Sequence, residues 1–205
     1  MKGPSIRYLK TSPVWLSLAN TKKQILTLEN QCNMEKIAIF FGPLNGSVHR
    51  IAKLVASKIG SEKVDLIHIA EASATDLQKY TKIIFGISTI GKDTWQQKFD
   101  NNDWSKFFPV VTGFDFTGKR IAIFGLGDHI TYAYHFVDSM GLLGKTIKHN
   151  GGQIFGGVST EGYTFQDSEA IVEGQFIGLP VDEDFEPELT EERVSAWINS
   201  LMQEL

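Results

Sequence analysis

Three short runs of apolar, β-forming residues alternate with stretches of helical periodicity along this chain. The runs are KIAIFF at residues 36–41, KIIFGI at residues 82–87 and RIAIF at residues 120–124. Continuous apolar runs of this length are typical of strands buried on both faces, as in a parallel sheet covered by helices. We therefore predict a doubly wound α/β fold.

Further elements complete this pattern. Strands are also predicted at residues 63–69 and 153–158, and helices at residues 48–59, 74–80, 104–111, 133–148 and 191–201. Five strands that alternate with about five helices form a parallel sheet with helices on both faces. A ligand site in such a sheet lies beyond the carboxyl ends of the strands, at the switch point of the winding.

Length and composition suit a single domain. The chain has 205 residues, of which 42% are hydrophobic, so it can bury a sizeable core, whereas two full domains would be cramped. Residues 1–33 hold five Lys or Arg and one acid, which leaves 15 basic and 23 acidic side chains, a net charge of −8, in residues 34–205. This charge disfavours nucleic acid and membrane surfaces, and it either attracts basic proteins or only keeps the protein soluble.

The cysteine content and the first residues favour a cytoplasmic protein. Cys32 is the only cysteine, which excludes an intramolecular disulfide framework and a multi-cysteine metal site. The apolar patch at residues 14–16 is interrupted before the core of a secretion signal can form, and no apolar run is long enough to span a bilayer. We expect residues 1–33 to be an N-terminal extension, either a disordered arm or an upstream-start artefact, and residues 34–205 to form the domain.

The loops that follow three of the predicted strands are rich in glycine and polar residues. They are GPLNGS at residues 42–47, GISTIG at residues 86–91 and GLGDHITY at residues 125–132. Because these strand ends meet at one edge of the sheet, the loops can grip a flat ligand with backbone groups. Alternatively, short turns in such sheets need glycine without binding anything.

Two long motifs carry a family resemblance. FGLGDHITYAYHFVDSMGLL at residues 124–143 resembles the flavodoxin pattern Gly-x-Gly-Asp-x-x-x-Tyr-x-x-x-Phe-x-Asp-Ala-x-Gly, and residues 159–198 resemble the insertion and closing helix of long-chain flavodoxins. The likeness covers residues 36–204. It implies a flavodoxin-like five-stranded parallel sheet in the order 2-1-3-4-5, with a long-chain insertion in the last strand. It also implies noncovalent FMN binding and single-electron transfer at low potential between larger redox proteins.

The resemblance assigns several residues to the flavin ring. Tyr132 stands where the family has an aromatic ring that stacks on the outer face of the flavin, and Asp128 stands near the electron-rich edge of the reduced ring. Ile90 replaces the tryptophan that usually covers the inner face, so either Ile90 or Trp95 takes that place, and Gly91 supplies the peptide that donates to flavin N5. On the residues alone, Tyr132 and Asp128 could simply begin and cap a helix.

The loop after the first strand departs from the family pattern. Three hydroxyl residues that wrap the FMN phosphate are replaced by Pro43, Asn45 and Val48, and Pro43 also lacks a backbone N–H. The N–H groups of residues 44–48 and the helix dipole remain as phosphate donors. We interpret the loop as a divergent phosphate site, with binding weakened about 10- to 1000-fold. His49 is expected to be an exposed helix residue rather than a ligand.

The predicted contacts to the cofactor follow from this resemblance. At the phosphate they are Pro43, Leu44, Asn45, Gly46, Ser47 and Val48, and around the ring they are Ser88, Thr89, Ile90, Gly91, Trp95, Leu126, Gly127, Asp128, Tyr132, His135, Phe136 and Asp184. No metal site and no catalytic residue are predicted.

Three functions are compatible with the sequence. The first is a monomeric FMN electron carrier that meets basic-faced reductases and oxidoreductases transiently. The second is a flavodoxin-like scaffold that has lost tight FMN binding and serves a protein partner or a regulatory role, which the altered loop favours. The third is an enzyme that uses flavin on a small substrate such as a quinone. It is the weakest, because no acid, base or nucleophile constellation is evident and His129 and His135 are expected to line the flavin entrance or to pair locally.

Electron carriage would also use acidic side chains to orient a partner. The candidates for such an acidic rim are Asp93, Asp100, Asp103 and Asp128 near the ring, and Asp182, Glu183 and Asp184 in the insertion. The alternative is that these acids form an ordinary solvated surface.

Overall fold

The computed structural model describes residues 36–88 and 102–205. The strands of the main sheet are β1 (Ile37–Phe41), β2 (Val64–His68), β3 (Lys82–Ile87), β4 (Arg120–Leu126) and β5 (Gln153–Ile154). A small antiparallel sheet follows, made of β6 (Val158–Ser159), β7 (Ile171–Val172) and β8 (Gln175–Phe176). The chain then returns to the main sheet as β9 (Leu179–Val181).

The main sheet is parallel throughout and has the order β2-β1-β3-β4-β5, with β9 also pairing with β4. The helices are α1 (Ser47–Ile59), α2 (Ala74–Gln78), α3 (Asp103–Thr112), α4 (Asp138–His149) and α5 (Thr190–Glu204). The predicted fold class and the strand order 2-1-3-4-5 are thus confirmed.

The apolar runs are continuous because both faces of the sheet are buried. β1 contributes Ala38 and Phe40 to a core with α3 and α4, and it contributes Ile39 and Phe41 to a second core with α1 and α5. All five residues of β1 are buried. Burial of an aliphatic or aromatic side chain contributes about 1.5–3 kcal/mol, so these two cores hold the sheet edge in place.

The helix predicted at residues 133–148 begins later, at Asp138. Residues 133–137 form turns, and Val137 has a left-handed backbone with φ of 52°. The Ala133 carbonyl accepts hydrogen bonds from the N–H groups of Gln166 and Asp167, at 2.7 and 3.0 Å. These hydrogen bonds from residues 166 and 167 take the place of helical ones. The helix is therefore shorter at its start than the apolar periodicity predicts.

The strand predicted at residues 153–158 pairs with β4 through Gln153 and Ile154, and the Phe155 N–H makes the last hydrogen bond to β4, to the Ile121 carbonyl at 2.8 Å. Gly156 follows with φ of 75°, and a Cβ there would lie 2.7 Å from Nε1 of Trp197, so the chain turns away under α5. Residues 156–178 then leave the sheet, and Leu179 resumes pairing with Phe124 of β4. Residues 155–178 thus separate β5 from β9, the two segments that pair with β4.

No helix within residues 36–88 and 102–205 combines the length and the hydropathy needed to cross a bilayer.

Candidate functional site at the carboxyl edge of the sheet

The carboxyl ends of β1, β3, β4 and β9 meet at one edge of the parallel sheet. The loops at this edge carry five of the eight large hydrophobic side chains that are exposed in the described part of the chain. These five are Leu44, Ile130, Tyr132, Tyr134 and Phe185. Apolar side chains gathered at one edge mark a surface that binds a ligand or a partner.

The loop between β1 and α1 leaves the start of the helix open. Gly46 occupies the N-cap position in an extended conformation, and no side chain caps the helix. The N–H of Arg50 is the first to bond within the helix, to the Gly46 carbonyl at 3.1 Å. Since the first N–H groups of a helix have no partner inside it, this turn can receive an anion.

The predicted phosphate residues divide into exposed and buried ones. Pro43, Leu44 and Asn45 are exposed, and Gly46 and Ser47 are partly exposed. Val48 is only 2% exposed and packs in the core beneath α1, so it can offer a ligand only its backbone N–H.

His49 lies in the first turn of α1, as expected, but it is only partly exposed. Its ring stacks on Phe41, with ring centroids 4.8 Å apart and planes 17° apart, and its Nδ1 accepts a hydrogen bond from the Asn45 N–H at 3.2 Å. Burial, followed by the charges of Lys53 and His68, lowers the pKa of His49 below its usual 6.5. The sequence offered one signal for this, the position of His49 one turn after Asn45.

Leu126 is the last residue of β4, and Gly127 directly after it is still bonded to β9. Leu126 pairs with Val181, and the Gly127 N–H donates to the Val181 carbonyl at 3.0 Å. A Cβ on Gly127 would lie 3.0 Å from the Val137 nitrogen, so glycine is needed here for close packing of the chain. The Gly127 N–H is already occupied by Val181.

Asp128 caps the following turn. Its Oδ1 accepts hydrogen bonds from the N–H groups of Ile130 and Thr131, at 2.9 and 2.6 Å. Tyr132 then closes the turn through its N–H to the Asp128 carbonyl at 3.2 Å, and its side chain is 51% exposed. The Asp128 carboxylate thus caps a turn and not a helix, because the next helix, α4, begins only at Asp138, and the Tyr132 side chain is available at the edge.

A buried pair ties this turn to the segment after β9. Asp182 is 1% exposed, and its Oδ2 accepts from the backbone N–H of His129 at 2.9 Å and lies 2.5 Å from His129 Nδ1. Its Oδ1 accepts from the N–H groups of Asp184 and Phe185 at 2.8 and 2.9 Å. Burial acts to raise the pKa of Asp182, but these hydrogen bonds, led by the His129 backbone, outweigh it and lower the pKa.

This geometry corrects the predicted acidic rim. Asp182 is buried, and the Glu183 side chain pairs with Arg50 and Thr190. Asp103 lies 2.9 Å from His68 Nε2, and Asp184 remains exposed. Asp93 and Asp100 lie outside the described residues.

The remaining predicted site residues fall in three groups. Phe136 is 1% exposed and packs against Phe165 and Phe176 in the core, so its ring has no surface to offer a ligand, contrary to the prediction. Ser88 is partly exposed after β3, and His135 is exposed and pairs locally with Asp138 at 2.9 Å, whereas His129 pairs with the distant Asp182. Thr89, Ile90, Gly91 and Trp95 lie outside the described residues.

Comparisons with known proteins agree with this architecture. A family profile described as "Flavodoxin" matches residues 39–197. The chain is 39% identical over 173 residues to a flavodoxin of Haemophilus influenzae, covering 84% of this chain and 97% of that protein. It is 38% identical over 169 residues to a flavodoxin of Synechocystis sp., covering 82% and 96%. The solved Fusobacterium nucleatum flavodoxin bound to flavin mononucleotide superposes with a TM-score of 0.73 at 23% identity, covering 84% of this chain and 99% of that one.

Proposed function

The chain belongs to the flavodoxin family, and on this premise we propose that it binds FMN noncovalently at the carboxyl edge of the sheet and carries single electrons between larger redox proteins. The observation that carries the proposal is the pairing, at one edge, of an uncapped helix start with exposed aromatic side chains. The Fusobacterium flavodoxin, which shares the fold, was solved with flavin mononucleotide. The absence of a cysteine other than Cys32 favours a cytoplasmic setting.

The residues present fit both ends of FMN. The N–H groups at the start of α1 and the helix dipole suit the phosphate, and the half-exposed ring of Tyr132 suits the apolar face of the flavin. Bound FMN would supply one-electron redox chemistry. The net charge of −8 in residues 34–205 makes it more costly to add an electron, which lowers the reduction potential.

The protein's own part is to hold and orient the cofactor. Asp128 and Asp182 fix the turn that presents Tyr132, one by capping it and the other by clamping His129. The two cores on either side of the sheet keep the strand ends rigid beneath that turn. No proton donor or nucleophile is required of the chain for electron carriage, so we assign none.

One titration tests the proposal. Because FMN and riboflavin differ by the phosphate, we expect the apoprotein to bind FMN at least about tenfold more tightly, since a single hydrogen bond to a charged group is worth about 1.5–3 kcal/mol. Binding is measured by quenching of flavin fluorescence, and the loaded protein should undergo reversible one-electron reduction. Equal affinity for the two flavins would show that the loop no longer recognises phosphate.

The second candidate function is a scaffold that has lost FMN. It is favoured by the hydrogen bond from Asn45 to His49, which occupies a backbone donor of the loop, and by Pro43, which has none. In the same titration a scaffold binds neither flavin. Saturable FMN binding with reversible reduction eliminates it.

We further infer that the protein acts as a monomer whose partners are redox proteins with basic faces. The support is the acidic charge of residues 34–205, with the exposed Asp184 in the segment after β9. We expect electron transfer from the reduced protein to a basic c-type cytochrome to slow about tenfold or more between 10 mM and 300 mM salt. Transfer to a neutral small-molecule acceptor is the control and should change little, and salt-independent transfer to the cytochrome would contradict the inference.

A further inference from the structure

His49 is held at the entrance to the candidate phosphate loop by two contacts. Its ring stacks on Phe41, the last residue of β1, at a centroid distance of 4.8 Å. Its Nδ1 accepts the Asn45 N–H at 3.2 Å, across the turn that leads into α1. The histidine, in the first turn of α1, therefore lies against the loop and not on the outer face of the helix.

The contact with Asn45 removes a donor from a loop that has few. Pro43 carries no N–H, and Asn45, whose φ is 62°, directs its N–H to His49. Val48 is buried and adds no side-chain donor. A phosphate in this loop would therefore compete with His49 for the Asn45 N–H.

His49 is a neutral acceptor in the structure. Nδ1 must be unprotonated to accept the Asn45 N–H. Burial, and then the positive charges of Lys53 on the next turn of α1 and of His68 at the end of β2, lower the pKa of His49. The neighbouring Arg50 pairs with Glu183, and His68 itself contacts Asp103.

An anion in the loop would favour the protonated His49 ring over the neutral one, and it would end the hydrogen bond from the Asn45 N–H to Nδ1. A phosphate dianion attracts a protonated imidazole, and an opposite charge within a few Å favours the charged form of a histidine. Once Nδ1 carries a proton it cannot accept from Asn45, so the Asn45 N–H is released for the anion.

We propose that His49 is the phosphate-recognising side chain of this loop: on binding FMN it takes up a proton from solvent, releases the Asn45 N–H, and pairs with the phosphate in place of a missing hydroxyl. The inference rests on the proposed FMN function and adds to it a residue that determines specificity. It makes phosphate recognition depend on pH, whereas recognition by hydroxyl groups does not.

The test measures proton uptake and not electron transfer. FMN and riboflavin are titrated into the full-length apoprotein by calorimetry at pH 7.5, in two buffers that differ in ionisation enthalpy. We expect the wild type to take up about half a proton or more per FMN and none per riboflavin. The ratio of FMN to riboflavin affinity should then fall about 3- to 10-fold between pH 6.5 and pH 8.5.

The His49→Gln variant distinguishes proton uptake by the histidine from proton uptake by the phosphate of FMN, which itself titrates near pH 6. It should bind FMN without proton uptake and with a flat affinity ratio above pH 6.5, and His49→Asn serves as a second neutral side chain if the glutamine variant fails to fold. His149→Gln, at the exposed end of α4, is the matched control and should behave as the wild type.

The outcomes are distinguishable. FMN binding without proton uptake in the wild type, or with equal uptake in His49→Gln, overturns the role of His49 and leaves the FMN function intact. Binding of neither flavin overturns the proposed function, and the role of His49 falls with it.

Discussion

Replacing Asp182 by asparagine is expected to lower the free energy of unfolding by about 2–4 kcal/mol. The carboxylate is 1% exposed and receives three backbone N–H groups, while His129 Nδ1 lies 2.5 Å away. An asparagine keeps one oxygen but sets an NH2 group against N–H donors, which leaves buried donors unsatisfied at about 1–3 kcal/mol each. Urea unfolding at pH 7 measures the difference.

Asp184→Asn is the matched control for this variant. Asp184 stands two residues further on and its side chain is exposed, so the same change should alter stability by less than about 0.5 kcal/mol. Equal stability of Asp182→Asn and the wild type would contradict the clamp. We also expect weaker riboflavin binding in Asp182→Asn, because the clamp fixes the turn that presents Tyr132.

The penalty should depend on pH in a defined direction. Because the pKa of Asp182 in the folded protein lies below its ordinary value of 3.8, the carboxylate contributes stability that is fully present above that value. This contribution is lost as the pH falls below 3.8 and through the folded-state pKa. The difference between the wild type and Asp182→Asn should therefore shrink progressively below pH 3.8, and an unchanged difference would show that ionisation of Asp182 does not matter.

The sheet could be predicted from the sequence because burial on both faces leaves a direct mark. β1 sends alternate residues into two cores, so every position in the run is apolar and no helix or half-exposed strand fits it. Periodicity does not predict the order of the strands, which was inferred instead from the resemblance at residues 124–143. Local pattern and family pattern thus contributed different parts of the same fold.

The predictions that failed depended on contacts between distant segments. Helix α4 begins at Asp138 and not at the predicted residue 133, because the Ala133 carbonyl accepts hydrogen bonds from Gln166 and Asp167, which are more than 30 residues away. Asp182 reads as a surface acid in sequence, yet it is buried by His129, which is 53 residues earlier in the chain. Composition and spacing do not reveal contacts between residues so far apart in the sequence. Runs of charged residues are therefore predicted to lie on the surface.

In the candidate site, too, the positions of the loops could be predicted from the sequence, whereas the directions of individual side chains could not. The three loops of the carboxyl edge were predicted from glycine and polar residues after strands, and the described parts of them lie at that edge. Phe136 matched the family motif but serves the core, since a motif conveys which residue types recur and not which way each side chain points. The contacts of His49 with Phe41 and Asn45 could not be predicted, because helical periodicity accounts for the neighbours of His49 without it.

Replacing Tyr132 by alanine is expected to weaken binding of both FMN and riboflavin about 5- to 150-fold. Stacking of an aromatic side chain on a planar heteroaromatic ring is worth about 1–3 kcal/mol, and Tyr132 is half-exposed at the edge where the flavin is proposed to lie. Because the lost contact is to the ring, the ratio of FMN to riboflavin affinity should stay as in the wild type. Fluorescence titration of the two flavins measures both quantities.

Tyr134 supplies the control, because it is the same residue type two positions further on and is 67% exposed. Tyr134→Ala should change flavin affinity less than about twofold if the stacking surface is Tyr132 alone. A larger loss in Tyr134→Ala than in Tyr132→Ala would move the stacking surface to Tyr134, and a phosphate-dependent loss in Tyr132→Ala would place that ring at the other end of the cofactor. Since the Tyr132 N–H that closes the turn capped by Asp128 is kept in the alanine variant and the side chain is 51% exposed, the variant should unfold at nearly the same urea concentration as the wild type. A loss of affinity at unchanged stability then reports on the ring contact itself.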